Sequence, residues 1–239
     1  MSHTFKVLHI GGQCPWFWWT LEQIQQAATQ LQGKVEILDV GNGPELDSRY
    51  RLFFPFMVVI DDMLRWSSPV TAEGSLKLVQ DPNRPSAIPR VCILHPPAQA
   101  SKIVELTLDN IEAACVFCLP GADAHAIHGK REWVKRYGEA IVGYLAYEGE
   151  LVVGGIEYLC ASQIPFPLPE KRDTAAFITC LYSMEGETED VRDYRREVLD
   201  YALTQLPGQG YQCVQVIAGR RCAYPNGPRP YLVCGVFGK

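Results

Sequence analysis

Between Asp81 and Pro97 the chain places Pro82, Pro85, Pro89, Pro96 and Pro97. Each proline fixes φ and withdraws a backbone donor, so neither a regular helix nor a central strand runs through this stretch. The spacing predicts two domains, residues 1–80 and 102–239, joined by a proline-rich connection over 81–101. With 239 residues, 47% hydrophobic and 21% charged, the chain has ordinary globular chemistry. A net charge of -5 supplies no basic face to release counterions from nucleic acid or an anionic membrane. No apolar run approaches the roughly 20 residues of a membrane span, and the N-terminus lacks the basic and apolar regions of a signal peptide. These features exclude nucleic acid and membrane as partners and predict a cytoplasmic protein. The nine cysteines are scattered through predicted strands and helices rather than framing a small loop-rich domain. That pattern predicts reduced, buried thiols.

Upstream of the prolines the pattern is β-α-β: Lys6 to Ile10, a helix through Leu21, Ile24, Ala27, Ala28 and Leu31, then Lys34 to Val40. Thr20 with Gln23 would cap that helix, while Pro15 suits an earlier start. Phe53 to Asp62 and Met63 to Trp66 read as two strands joined at a tight acidic turn. Gln13-Cys14-Pro15 stands between the first strand and the first helix, and Phe54-Pro55-Phe56 precedes the third strand. On these residues the first half resembles a thioredoxin-like domain, a resemblance that implies a cis Pro55. Helix N-termini favour thiolate over thiol, which makes Cys14 a candidate reactive cysteine. The alternative is a small buried hydrophobe kept by packing. The position three residues on is Phe17, so a two-cysteine cycle within this motif is excluded.

Trp16, Trp18 and Trp19 are three of the chain's five tryptophans. With Phe17 they present more aromatic surface than one helical face can hide, and the expectation is an interface between the two halves or between two subunits of a homodimer. A ligand-stacking platform is the alternative.

Downstream, Ile103 to Leu106 reads as a strand and Asp109-Asn110-Ile111-Glu112 as a capping box opening a helix. Gly143 to Glu148 and Glu150 to Tyr158 form a hairpin, Ala175 to Tyr182 the next strand, Val191 to Leu206 an amphipathic helix, and Cys213 to Gly219 another strand. The predicted fold class is α/β with mixed sheets. Gly154-Gly155-Ile156-Glu157-Tyr158 and Ala176 to Tyr182 on consecutive strands resemble the central strands of a GNAT-type N-acetyltransferase, and the order of elements over 102–238 is similar to that superfamily. Proteins joining such a domain to a thioredoxin-like module with a Gln-Cys-Pro motif are the nearest resemblance.

The GNAT resemblance implies acyl transfer from acetyl-CoA to the amine of a small molecule. That chemistry needs a base for the amine, hydrogen bonds to the thioester and an acid for the leaving thiolate. On matching positions Glu157 is the base, Tyr231 the acid, and the backbone of Cys180, Leu181 and Tyr182 lies along the pantetheine arm. The ordinary readings of Glu157 are an exposed strand residue or one paired with Arg172.

Two features depart from the pattern. The glycine-rich turn that would let backbone N–H groups approach a pyrophosphate is replaced by a loop with Gly186 and the acids Glu185, Glu187, Glu189 and Asp190. At an effective dielectric near 20, two like charges about 4 Å apart repel by roughly 4 kcal/mol. Arg192, Arg195 and Arg196 stand close enough in sequence to compensate, and Arg192 and Arg195 are the candidate cofactor contacts. The chain also stops at Lys239, where a GNAT domain adds two more strands, so the C-terminal strands read as truncated. These departures keep open two other readings: a catalytically inactive binding or scaffold protein, and a one-cysteine thiol-redox protein using Cys14. Cys115 and Cys118 followed by His125 and His128 have metal-ligand types at a gap shorter than zinc fingers use, and no metal is expected. Arg220 and Arg221 beside Asn226-Gly227-Pro228 read as a solvated basic turn.

Overall fold

The computed structural model describes residues 2–42, 46, 49–50, 52, 54–67, 69–81, 95–119, 121–138, 140–166, 168, 170–184 and 191–217. Its fold is mixed α/β, with two mixed sheets and, among the described residues, five α-helices. The first sheet has the order β2-β1-β3-β4, with β1 (Thr4–His9) parallel to β2 (Lys34–Asp39) and antiparallel to β3 (Phe56–Ile60), which pairs in turn with β4 (Leu64–Trp66). Asp61 and Asp62 both take positive φ at the centre of the β3–β4 turn, which is closed by the Met63 amide on the Ile60 carbonyl at 3.1 Å. Their carboxylates anchor the turn, Asp61 to the Thr4 amide and Asp62 to Lys6.

Helix α1 (Pro15–Gln30) crosses from β1 to β2. It starts at the earlier of the two expected places. Pro15, lacking an N–H, fits the first helical position, Cys14 is the N-cap, and Thr20 is buried inside the helix, so the Thr20–Gln23 box does not form. The Phe54–Pro55 peptide is trans, contrary to the cis bond implied by the resemblance. The Pro55 carbonyl accepts from the Ile10 amide, which ties the approach to β3 onto the end of β1. Helix α2 (Ala72–Gln80) follows, capped by the Thr71 hydroxyl on the Gly74 amide.

The second sheet has the order β5-β6-β7-β8-β9: β5 (Lys102–Leu106), β6 (Gly143–Glu148), β7 (Leu151–Cys160), β8 (Ala175–Ser183) and β9 (Cys213–Val216). All its pairings are antiparallel except β8 with β9. Helices α3 (Ile111–Cys118) and α4 (Ala124–Tyr137) separate β5 from β6, and α5 (Arg195–Gln205) separates β8 from β9. Asn110 is the N-cap of α3, yet its side chain turns back to the Thr107 amide and the Glu105 carbonyl, so the expected capping box is absent. Helix α5 starts at Arg195 rather than Val191, because Asp193 bridges to Pro97 and the Tyr194 amide donates to the Ser183 hydroxyl.

One apolar cluster takes Leu8, Met57 and Val59 from the first sheet and Ile10 just past β1, together with Leu106, Leu145 and Phe177 of the second sheet and Trp133 of α4, the second sheet and its helices forming a second unit. A second cluster packs α5 on the opposite face of the second sheet through Tyr144, Ile156, Tyr158 and Val198. The tryptophans lie between the halves: Trp16 Nε1 donates to the Cys118 carbonyl at 2.9 Å, and the Trp18 indole lies against Gly129 of α4. Most of the proline-rich connection, the acidic loop 185–190 and residues 218–239 lie outside the described residues.

Candidate functional site

Glu157 sits on β7 between Gly155 and Tyr158, facing α4 rather than solvent. It is 3% exposed. Its partner is Lys130, whose Nζ lies 2.6 Å from Oε1, while the Gln13 amide nitrogen lies 3.4 Å from Oε2. This corrects both ordinary readings of the carboxylate: it is not exposed, and Arg172 is bound instead to Glu170 at 2.7 Å. Lys130 is 2% exposed. Burial works against its charge, but Glu157 and the neighbouring thiols raise its pKa well above the ordinary lysine value.

Lys130 was not singled out in the sequence, although a signal existed. Ala126, Lys130, Trp133 and Tyr137 recur at helical spacing, and all are buried on α4. A lysine inside such a stripe needs a buried partner of opposite charge, because the ammonium cannot reach water. In the sequence Gln13 stands out only as part of the Gln13-Cys14-Pro15 motif. It is the first unit's contribution to the site, carried there by the turn between β1 and α1.

Thiols surround this ion pair. Cys14, from the first unit, is pushed up to about 12 by burial and by Cys118, outweighing the help its sulfur receives from the Trp16 amide and Lys130. The expected thiolate at a helix N-terminus is therefore held as a thiol. Cys115 is pushed up to about 11, chiefly by burial. The neighbouring Cys118 and burial raise Cys180 well above the ordinary thiol range. Among the described residues no group of three or more His, Cys, Asp or Glu is arranged to hold a metal ion, so Cys115, Cys118, His125 and His128 do not converge.

Strand β8 passes beside Glu157 in a broken register. Glu157 pairs with Cys180 and Tyr158 with Ile178, which leaves Thr179 as the extra residue of a β-bulge. On its other side β8 pairs with β9 only from Ala175 to Ile178, so Thr179–Ser183 runs on past the last described partner. Tyr182 lies opposite Gly155, and a Cβ on that glycine would stand 2.7 Å from the phenol oxygen. The ring therefore lies against Gly155, on the same face of β7 as Glu157 two residues on.

Of the expected cofactor contacts, Cys180, Leu181 and Tyr182 share this segment, whereas the arginines stand beyond its end. Arg195 forks onto Asp193 at 2.9 and 2.7 Å, and Arg192 is exposed. Tyr231 lies outside the described residues, as do Gly186 and its flanking acids. A groove of about 480 Å³ opens at the far end of β7, lined by Ile141, Cys160, Gln163, Asp173, Gln209 and Tyr211, and does not include Glu157. Among the described residues no helix is long and apolar enough to cross a membrane.

No family model matches the sequence, and no curated protein matches it. Neither comparison assigns a family. Among solved structures, an aminoglycoside acetyltransferase, HMB0005, from an uncultured soil metagenomic sample aligns at 12% identity and a TM-score of 0.34, over 49% of this chain and 79% of that one.

Proposed function

We propose that the second unit handles an acyl-CoA thioester and transfers its acyl group to the amine of a small molecule. The observation that carries this reading is strand β8, which bulges at Thr179 opposite Glu157 and, among the described residues, runs on past its pairing with β9. A strand segment of this kind offers backbone N–H and C=O groups to the amides of an extended ligand such as a pantetheine arm. Cys180, Leu181 and Tyr182 would hold that arm, with the reacting carbonyl near the bulge and Glu157 beside it. The element order over β5 to β9 supports the GNAT-like character, and the first sheet, with its parallel β1–β2 pair and β3–β4 hairpin, supports the thioredoxin-like reading of the first unit.

A second reading, that the second unit binds without catalysing, is favoured by one observation. Oε1 of Glu157 is held by Lys130 and Oε2 faces Gln13, so the carboxylate as placed is engaged with the protein rather than with an incoming amine. The thiol-redox reading is disfavoured by the raised Cys14 thiol.

Calorimetric titration with acetyl-CoA at low salt, where charge-assisted contacts are least screened, separates the two leading readings. The acyltransferase reading expects saturable binding at micromolar concentration and turnover of small amines that is lost in Glu157→Gln. Absence of heat at millimolar acetyl-CoA removes it, and binding without turnover supports the silent form.

A further inference from the structure

Among the described residues, two polar atoms near Glu157 have no hydrogen-bond partner and are sealed from solvent: the amide oxygen of Gln13 and the phenol oxygen of Tyr182. They come from different units of the chain. Buried groups of this kind are rare in folded proteins because each loses its water without recovering a hydrogen bond. The orientation of Gln13 follows from chemistry. Facing a carboxylate, it must present its nitrogen, since two oxygens would repel, and its Oε1 is then turned away from Glu157 and left open to a donor.

The position of Tyr182 follows from Gly155, whose missing side chain admits the ring across β7 and directs Oη over the strand face that carries Glu157. Burial and the Glu157 carboxylate both keep the phenol protonated, which makes it a donor only toward an acceptor oxygen. One orphan is thus an acceptor and the other a donor, both near the same carboxylate. The complementary ligand carries a carbonyl oxygen and an N–H.

We propose that Gln13 and Tyr182 form, with Glu157, a reactant-binding subsite spanning the two units, in which Tyr182 Oη donates to an acyl carbonyl and Gln13 Oε1 accepts from an N–H of the ligand. This rests on the acyl-transfer reading and deepens it: the first unit is part of the acyl site. The subsite takes the small polar centre shared by a thioester with its neighbouring amide and by the acylated amine, not the nucleotide end of the cofactor.

The test uses the full chain and two probes, acetyl-CoA and S-acetyl-N-acetylcysteamine, a thioester with an amide N–H and no nucleotide. Wild-type protein, Tyr182→Phe and Gln13→Leu are titrated with each, and thermal unfolding is recorded without ligand. Loss of one neutral hydrogen bond predicts roughly five- to tenfold weaker binding of the small thioester by either variant. Tyr182→Phe without ligand should melt at the wild-type temperature or above, because an unpartnered hydroxyl has been removed. Thioester binding weakened in both variants, with no acetyl-CoA binding in any, sustains the subsite and rejects the acyl-CoA reading. Acetyl-CoA and thioester bound equally by all three proteins sustains that reading and overturns the subsite. A clear drop in the melting temperature of ligand-free Tyr182→Phe also overturns it, since the hydroxyl then has a partner in the fold. Failure of both probes to bind wild type rejects both.

Discussion

Lys130 Nζ lies 2.6 Å from Glu157 Oε1, and only 3% and 4% of the two side chains are exposed. Removing one member of such a pair leaves the other charge in the protein interior without compensation, whereas replacing both with apolar groups removes the desolvation cost along with the attraction. Lys130→Met should therefore lower stability by about 3–5 kcal/mol in urea denaturation. The double variant Lys130→Met/Glu157→Leu should recover most of that loss. A single-variant cost under about 1 kcal/mol would show that water reaches the pair.

Alkaline pH should weaken the fold through the same cluster. An ordinary thiol ionises near 9.0, whereas Cys14 is held up to about 12 and Cys115 to about 11. Between these limits the unfolded chain loses protons that the folded chain keeps, so stability falls as pH rises, by about 1.4 kcal/mol per unit for each thiol. Lys130, also raised, contributes in full below 10.5 and loses its contribution only as pH climbs toward its folded value. Stability measured from pH 7 to 8.5 should show no slope from these groups, and it should fall above pH 9. Cys14→Ala/Cys115→Ala should flatten that fall; an unchanged slope in the double variant would assign it to other residues.

Cys14 should react slowly with iodoacetamide at neutral pH, since only its thiolate attacks and burial holds the thiol at about 12. The expected rate is at least about tenfold below that of free glutathione at pH 7.5, rising about tenfold per pH unit up to pH 10. Peptide mapping of the alkylated protein measures it. A fast rate that levels off near pH 7 would restore the helix-terminus thiolate.

What the sequence made legible was the strands and three of the helices; α2 (Ala72–Gln80) and α4 (Ala124–Tyr137) were not read from it. Period-two runs located the strands from β1 to β9, and Pro15 marked the start of α1, because these signals are local and obey one rule each. The site was less legible because its members are far apart in the chain. Glu157 could be chosen as a carboxylate on a central strand, but its burial depends on α4, and its partner lies 27 residues earlier on that helix. Gln13 lies 144 residues away, brought in by packing between the halves that no periodicity encodes. The Asp109–Glu112 box failed for a local reason: Asn110, not Asp109, is the N-cap, and its side chain bonds the Thr107 amide and the Glu105 carbonyl instead of capping the helix.

Gly129 gives the contact between the units a sharp test. It lies inside α4, where Gly→Ala ordinarily stabilises a helix by about 1 kcal/mol. Here a Cβ would run into the Trp18 indole, which is itself held by its Nε1 donating to the Gly12 carbonyl at 3.2 Å. Overpacking against a ring fixed from both sides reverses the sign, so Gly129→Ala should cost about 1–3 kcal/mol. In a Trp18→Ala background the clash is gone, and the same substitution should be neutral or stabilising. The coupling in this double-mutant cycle isolates the contact from helix propensity. Because the apolar cluster is continuous from Leu8 and Val59 to Trp133 and Phe177, tryptophan fluorescence and far-ultraviolet circular dichroism should report one coincident urea transition. Two separated transitions, with the Gly129–Trp18 coupling near zero, would mean that the halves fold independently and that Gln13 reaches Glu157 only part of the time.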